Sequence, residues 1–168
     1  SGCAFDVAIV TNITREHLDY HGTYEEYRKA KARLFAHLME SHRKPDTAKI
    51  SILNADDPSY DILEGFGAER YYSYGVERPS DVQALNIHLS ASGASFMAVT
   101  PGGAFQVATP LVGSFNVYNV LAAITAGVSQ GIGFEAMRNG ILSMKGGPGR
   151  MERIELGQDF TVIIDFAH

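Results

Sequence analysis

Apolar and polar positions change their period several times along the chain, and each change predicts a new element. The apolar run at residues 5–10 is typical of a strand inside a parallel sheet. After a polar loop, apolar residues recur every three or four positions up to Leu38, which predicts an amphipathic helix. Thr23 and Glu26 fit a capping box at the start of this helix. The chain therefore begins as strand, loop and helix.

The pattern beyond this unit predicts further strands and helices. The predicted strands lie at residues 50–53, 71–74, 85–89, 95–99, 105–108, 151–156 and 160–164, and the predicted helices lie at 58–65, 114–130 and 134–144. The three strands in the middle are separated by glycine-containing turns, so they predict a β-meander inserted in, or packed beside, the core. We therefore expect an α/β fold, with part of a parallel sheet flanked by helices plus a small antiparallel sheet.

Composition narrows the classes of function. The 168 residues, 45% of them hydrophobic, suffice for one domain with a real core. The net charge is −5 and the basic residues form no tract, which argues against nucleic acid as a partner. The single cysteine, Cys3, excludes an intramolecular disulfide and fits a reducing compartment, so we expect a cytoplasmic protein. No apolar run has the length of a membrane span, and we expect no membrane partner.

The polar loop after the first strand is the first candidate site, because ligands of open α/β sheets bind beyond the carboxyl ends of the strands. His17, Asp19 and His21 alternate within it, so in an extended loop they face one side. Imidazole and carboxylate groups together suit several divalent metals. The alternative is a polar loop whose histidines bond only to the backbone, and the spacing alone names no metal.

Lys31 is the second candidate, because it falls on the apolar stripe of the predicted helix together with Tyr27, Leu34 and Leu38. Burying an unpaired ammonium is costly. In one interpretation the stem of Lys31 packs while its head reaches water. In the other, Lys31 points into a site at the helix start, where burial would lower its pKa. The neutral amine would then be able to bind a metal, act as a base or be modified.

Glycine-rich segments give no nucleotide fingerprint of their own. Gly131-Ile132-Gly133 lacks a third glycine and follows a helix, and the chain contains no GxxxxGK[ST] motif. The loop at residues 145–150 has no following helix, which favours a plain connector. Its Arg150 nevertheless has the chemistry to reach a phosphate.

Six blocks in series resemble the central domain of the Mur ligase family and cover essentially the whole chain in the expected order. The blocks are TNITREHLDYHG, YRKAKARLF, NADD, GSFNVYNVLAA, GPGRME and DFAH. The family contains ATP-dependent amide ligases of peptidoglycan synthesis, in which ATP phosphorylates a carboxylate and an amine attacks the acyl phosphate. The blocks are most similar to the member that adds the third peptide residue. The resemblance implies ATP and Mg²⁺ as cofactors, with UDP-N-acetylmuramoyl-L-alanyl-D-glutamate and a diamino acid, meso-diaminopimelate or L-lysine, as substrates.

The resemblance also assigns roles to the first four site residues. His17 matches a histidine that binds Mg²⁺. Lys31 matches a lysine that is carbamylated, so that its new carboxylate supports a second Mg²⁺, and this would explain a lysine on an apolar stripe. Asn116 and Asn119 match the pair that recognises adenine. N-capping by Asn116 alone is the alternative, and it would leave Asn119 unexplained.

Three further residues near the end of the chain match the nucleotide site of the family. Arg150 matches an arginine near the ATP phosphates, where it would offset charge that develops during phosphoryl transfer. Asp165 matches a carboxylate that binds ribose hydroxyls, and His168 lies near the nucleotide. Phe166 stands where the family more often has tyrosine.

Parts of the family pattern are expected outside this sequence. The phosphate-binding P-loop, a glutamate that shares Mg²⁺ and the residues that hold the UDP-sugar would precede Ser1, and the domain that selects the amino acid would follow His168. We therefore interpret residues 1–168 as a partial central domain and predict that the isolated chain does not catalyse. Incubation with ATP, the UDP-muramoyl dipeptide and a diamino acid should release no phosphate, and ATP turnover would contradict this prediction.

Three alternatives stay open at this point. The first is another ligase of the same superfamily, of the folylpolyglutamate or cyanophycin synthetase type. The second is a metal-dependent hydrolase built on His17, Asp19 and His21. The third is a non-catalytic nucleotide-binding module that would not need Lys31. Substitution of Lys31 separates them, because only the ligases lose their activity with it.

Overall fold

The computed structural model describes residues 3–13, 24–147, 149, 151–154 and 156–166. Its elements, in chain order, are β1 (Val7–Ile9), α1 (Tyr24–Glu40), β2 (Ile50–Asn54), α2 (Tyr60–Leu63), β3 (Arg70–Gly75), β4 (Val82–Ser90), β5 (Gly93–Thr100), β6 (Gly103–Thr109), α3 (Ser114–Ser129), α4 (Phe134–Leu142), β7 (Glu152–Ile154) and β8 (Val162–Ile164).

The main sheet has six strands in the order β1-β2-β3-β4-β5-β6. The first four strands pair in parallel and the last three pair antiparallel. This confirms the α/β class and the predicted meander, and it shows that the meander continues the parallel sheet rather than packing beside it. A separate antiparallel pair, β7-β8, confirms the hairpin predicted near the end.

Helices cover both faces of the parallel strands, because strand side chains alternate between the faces. On one face, α1 and α2 bury Phe35, Leu38 and Leu63 against β1 and β2. On the other face, α3 and α4 pack on β2 to β6, with Leu121 and Ile124 fully buried. Every residue of β2 is buried, including the polar Ser51 and Asn54, as expected for a central strand of a parallel sheet that is covered on both faces. Each of these large side chains contributes about 2 kcal/mol to folding.

The junction between β3 and β4 puts the meander at the carboxyl edge of the parallel strands. Only Tyr74 and Gly75 of β3 pair with β4, through Val82 and Gln83. A strand that paired in parallel along the whole of β3 would need a crossover of a dozen or more residues to bring the chain back to the start of β3. Because only the last two residues of β3 are paired, a short connection is enough. Because β4 starts where β3 ends and runs the same way, the meander extends beyond the carboxyl end of β3.

Two helix boundaries differ from the sequence-based expectation. The predicted helix at 58–65 contracts to Tyr60–Leu63, and the one at 134–144 ends at Leu142. Where α3 and α4 cross, a Cβ on Gly127 would lie 2.5 Å from Met137 Sδ, so glycine permits the close approach. In the part of the chain that the structure describes, no helix is both long and apolar enough to cross a bilayer.

Candidate functional site

Polar side chains at the end of β2 join the segments that meet at the carboxyl edge of the sheet. The amide of Asn54 donates to the Thr11 carbonyl at 2.8 Å. The buried carboxylate of Asp57 accepts the backbone N–H of Ile13 at 3.0 Å and that of Ser59 at 2.8 Å. The end of β2 thereby fixes the backbone that follows β1, which leads into the candidate metal loop.

The neighbouring carboxylate, Asp56, holds the turn between β3 and β4. It accepts backbone N–H groups from Val76 at 2.6 Å, Glu77 at 3.0 Å and Arg78 at 2.7 Å. Burial alone would raise the pKa of Asp56, but these donors and the hydroxyl of Tyr118 outweigh it and hold the pKa below its ordinary value. Asp56 is therefore ionised at neutral pH.

Two tyrosine hydroxyls at this edge stay protonated and act as donors. Tyr118 donates to Asp56 at 3.1 Å, and burial together with the Asp56 carboxylate raises the pKa of Tyr118 to about 12. Tyr74 is fully buried and donates to the Val10 carbonyl at 2.8 Å. Burial, reinforced by the charge of Asp57, raises the pKa of Tyr74. Both hydroxyls therefore join neighbouring elements through hydrogen bonds.

The start of α3 presents the two predicted asparagines on one face. Gly113 precedes the helix with a φ of +100° and caps it without any side-chain hydrogen bond. Asn116 is buried and donates to the Val112 carbonyl at 2.7 Å. Asn119 is exposed and donates to Asn116 Oδ1 at 3.1 Å. Asn116 is therefore not the N-cap, and the capping alternative is wrong.

Asn119 keeps unused hydrogen-bonding capacity. Its Nδ2 makes one hydrogen bond, while its Oδ1 makes none within the described ranges. A primary amide carries two donors and an acceptor with two lone pairs. Asn119 can therefore offer one donor and one acceptor to a bound molecule.

Two adjoining clefts share Phe115 and Asn119. The larger, about 540 Å³, is lined by Leu111, Phe115, Asn116, Asn119, Met144, Lys145, Gly146 and Gly147. The smaller, about 260 Å³, is lined by Thr11, Asn12, Asn54, Asp56, Asp57, Pro58, Phe115, Tyr118 and Asn119. The larger cleft combines apolar walls, a polar pair and a lysine, and its volume is in the range of small-molecule sites.

Lys31 is exposed, which favours the interpretation in which its head reaches water over the one in which its amine is buried in a site. Its Nζ lies 5.4 Å from the centroid of the Tyr27 ring, within the range of a cation–π contact. One turn further along the helix, Phe35 is 3% exposed and packs in the core. The adjacent Ala32 is 4% exposed and Tyr27 packs against the same core, so the helix is covered at this depth and the Lys31 side chain itself extends to solvent.

Asp165 follows β8 and is exposed. It accepts the backbone N–H of Met151 at 2.8 Å, and the next residue, Phe166, donates its N–H to the Gly149 carbonyl at 2.7 Å. Asp165 is not among the described residues that line either cleft. The structure therefore brings Asn116 and Asn119 together and does not place Asp165 beside them.

Comparison with known proteins supports a single family. A family model described as the Mur ligase middle domain matches residues 1–127. The chain belongs to the Mur ligase family. It is 45% identical, over 99% of its length, to proteins from Bacillus licheniformis and Geobacillus kaustophilus named UDP-N-acetylmuramoyl-L-alanyl-D-glutamate--2,6-diaminopimelate ligase. It is 43% identical to a UDP-N-acetylmuramyl-tripeptide synthetase from a Roseiflexus species, over its whole length. The chain spans about a third of the length of these relatives, 34%.

Solved structures of Mur ligases share the fold. A UDP-N-acetylmuramoyl-L-alanyl-D-glutamate--2,6-diaminopimelate ligase aligns with a TM-score of 0.82 and 32% identity, covering 99% of this chain and 34% of the solved one. MurF from Acinetobacter baumannii aligns with a TM-score of 0.83 and 26% identity, covering 96% of this chain and 34% of the solved one. The α/β architecture described above is therefore the central-domain fold of the Mur ligases.

The other predicted Mur ligase site residues, His17, Arg150 and His168, lie outside the described residues, as do Asp19 and His21 of the candidate metal loop. Within the described ranges, no group of three or more His, Cys, Asp and Glu side chains is arranged to hold a metal ion. The predicted Mg²⁺ site therefore stays a prediction.

Several cleft residues escaped the sequence-based analysis. Phe115 is half exposed at the boundary of the two clefts, and Met144 and Lys145 come from the loop after α4. Phe115 lies inside a block that resembles the Mur ligases. In the sequence it is one more apolar residue of the helix, and only the fold shows that its side chain is exposed. Met144 and Lys145 carry no local signal, because their place depends on how α4 packs against α3.

Proposed function

We propose that this chain is the nucleotide-binding part of a UDP-N-acetylmuramoyl-tripeptide synthetase, a cytoplasmic ATP-dependent ligase. The protein would join 2,6-diaminopimelate to UDP-N-acetylmuramoyl-L-alanyl-D-glutamate in peptidoglycan synthesis. The names of its relatives support diaminopimelate over lysine and a ligase over a hydrolase. The observation that carries the proposal is the amide pair of Asn116 and Asn119 at the cleft beside Phe115.

The cleft fits an adenine base. Adenine presents an amino donor next to a ring-nitrogen acceptor, and Asn119 has one acceptor and one donor left to match them. Asn116 fixes the amide of Asn119 through its own Oδ1, and it is itself fixed by the Val112 carbonyl. Phe115, Leu111 and Met144 offer apolar surface to the base. The residues present therefore suit ATP, which would supply the phosphoryl group that activates the substrate carboxylate.

The remaining roles follow from the family resemblance. Arg150 and His168 would lie near the phosphates and the nucleotide, and Asp165 would accept ribose hydroxyls. Asp165 supports this assignment in one respect, since it is exposed and only one of its oxygens is bonded to Met151. His17, and Lys31 through its carbamate, would hold Mg²⁺. The exposed amine of Lys31 is open to modification from solvent.

Replacing Asn119 with alanine should raise the KM for ATP about tenfold, because one hydrogen-bonded pair to the base is lost. The kcat at saturating ATP should change by less than about twofold, since the amide contacts the base and not the reacting phosphate. Steady-state phosphate release by the protein that contains this chain measures both values. Asn139→Ala is the matched control, because Asn139 is an exposed asparagine on α4 outside both clefts. An unchanged KM for ATP in Asn119→Ala would show that Asn119 does not contact the base.

The function itself is tested by product identity. The complete protein is incubated with ATP and UDP-N-acetylmuramoyl-L-alanyl-D-glutamate, with either meso-diaminopimelate or L-lysine, and the products are identified by mass spectrometry. We expect the diaminopimelate adduct, formed with one phosphate released per product. A lysine adduct alone would overturn the choice of amino acid, and no adduct with either would overturn the ligase assignment.

A further inference from the structure

Asp56 has no assigned role in the candidate site, although its carboxylate bonds to several of the elements that form the site. The carboxylate lies just after β2 and receives the backbone of the turn at residues 76–78. The same Oδ2 that accepts from Val76 and Glu77 also accepts the hydroxyl of Tyr118 in α3. Asp56 therefore links the end of β2, the start of the meander and the helix that carries Asn119.

The start of α3 is held by few other polar contacts. The helix begins at Gly113 without a side-chain cap and has no acidic residue in its first turn to complement its dipole. The hydrogen bond from Asn116 to Val112 is internal to this end of the helix. Among the described side chains of the first turns, Tyr118 provides the polar bond that reaches another element. The orientation of this helix end relative to β2 therefore depends on Tyr118 and Asp56.

The hydrogen bond from Tyr118 to Asp56 is well suited to hold the two residues in a fixed geometry. Asp56 is only partly exposed, and its two oxygens are already fixed by three backbone donors. The hydroxyl of Tyr118 meets an ionised acceptor, and hydrogen bonds to charged groups are about twice as strong as neutral ones. A Cβ at Gly75 would lie 3.1 Å from Asp56 Oδ2, so glycine at this position leaves the carboxylate the space that it occupies.

We propose that Asp56 and Tyr118 form a positioning pair that fixes the first turns of α3 and thereby sets Asn119 for the adenine base. Tyr118 precedes Asn119 in the helix, and both line the smaller cleft with Asp56. Rotation of the helix end would move the amide of Asn119 with it. The inference rests on the proposed function, because it assigns the pair to the recognition of ATP.

The first test is Tyr118→Phe in the complete protein, which removes the hydroxyl and keeps the ring. The KM for ATP should rise about tenfold, because a hydrogen bond to a charged group is lost. The kcat and the KM for UDP-N-acetylmuramoyl-L-alanyl-D-glutamate should stay within about twofold. Asp56→Asn should raise the KM for ATP at least as much, and Tyr118→Phe should add little in the Asp56→Asn background, since the two residues act through one bond.

Tyr60→Phe is the matched control. The hydroxyl of Tyr60 also bonds a carboxylate, that of Glu64 at 3.3 Å, but this pair lies on α2 outside both clefts. We expect no change in the KM for ATP. Direct binding of ADP by calorimetry, measured on the folded protein, keeps the test valid if a substitution lowers the yield.

The outcomes separate the inference from the function on which it rests. If the unsubstituted protein neither binds ADP nor consumes ATP, the proposed function fails and the positioning role fails with it. If the unsubstituted protein is active and Tyr118→Phe lowers only the melting temperature, the pair is a structural bond and the inference is overturned. Equal changes in the KM values of both substrates would overturn it as well, because they would report a general loss of structure.

Discussion

Lys31→Ala in the complete protein is expected to lower ligase turnover at least about a hundredfold, the usual scale for removing one group that stabilises developing charge. The family resemblance assigns Lys31 as the carbamylated residue that supports Mg²⁺. An alanine cannot be carbamylated, so no oxygen ligand can form there. Phosphate release in the presence of both substrates measures the loss.

The same substitution should leave folding almost unchanged. Lys31 is exposed and its described contact is with the ring of Tyr27, so the free energy of unfolding should shift by no more than about 0.5 kcal/mol. Lys29→Ala is the matched control, because Lys29 is an exposed lysine on the same helix. Its turnover should equal that of the unsubstituted protein.

Chemical rescue decides whether Lys31 acts through a carboxylate. Short carboxylic acids added to Lys31→Ala should restore part of the turnover, while the same acids should not help Lys29→Ala. A loss of only a fewfold, without rescue, would contradict the carbamate assignment. A large drop in the melting temperature would instead show that Lys31 is a structural residue.

The alternation of strands and helices was predictable because their periods are local. The parallel junction of β3 and β4 was not, since it depends on a distant residue. Asp56 receives the backbone donors of the turn at 76–78, about twenty residues away, and this contact lets β4 continue the sheet. The sequence contains both Asp56 and the turn at residues 76–78, but no repeating pattern of apolar residues indicates that the two are in contact.

The reach of a long side chain was the other property that the sequence pattern did not give. A helical projection gives the direction of each side chain but not whether a long one extends to solvent. Lys31 shares a face with Leu38, yet Leu38 is 1% exposed and Lys31 is exposed, although the adjacent Ala32 is 4% exposed and Tyr27 packs against the same core. The asparagine pair could be found from the sequence because both residues lie within a single turn of α3, where their side chains share one face.

The buried cation in the described part of the chain is Lys49, which the sequence-based analysis did not single out. Lys49 precedes β2 and is 2% exposed. Its Nζ donates to the Phe5 carbonyl at 2.6 Å and to Ser41 Oγ at 2.8 Å. It also lies 3.1 Å from the His42 carbonyl and from Asp6 Oδ1. One ammonium therefore joins the start of β1, the loop after α1 and the start of β2.

Lys49→Ala is expected to lower the free energy of unfolding by about 2 kcal/mol or more, because several part-buried hydrogen bonds that converge on one buried ammonium are lost together. The acceptors concerned are the carbonyls of Phe5 and His42 and the hydroxyl of Ser41. Urea denaturation followed by circular dichroism measures the change. The proposed nucleotide site lies at the opposite, carboxyl edge of the sheet, so the KM for ATP of the folded fraction should not change.

Lys44→Ala provides the matched comparison, since Lys44 bonds the same carboxylate of Asp6 from the surface. Lys44 is 51% exposed, whereas Lys49 is 2% exposed. An exposed ion pair contributes little because water screens it and its side chains lose entropy. We therefore expect a clearly smaller loss of stability for Lys44→Ala. Equal losses for the two variants would mean that Asp6 pairing, and not the burial of Lys49 among backbone acceptors, holds β1 to β2.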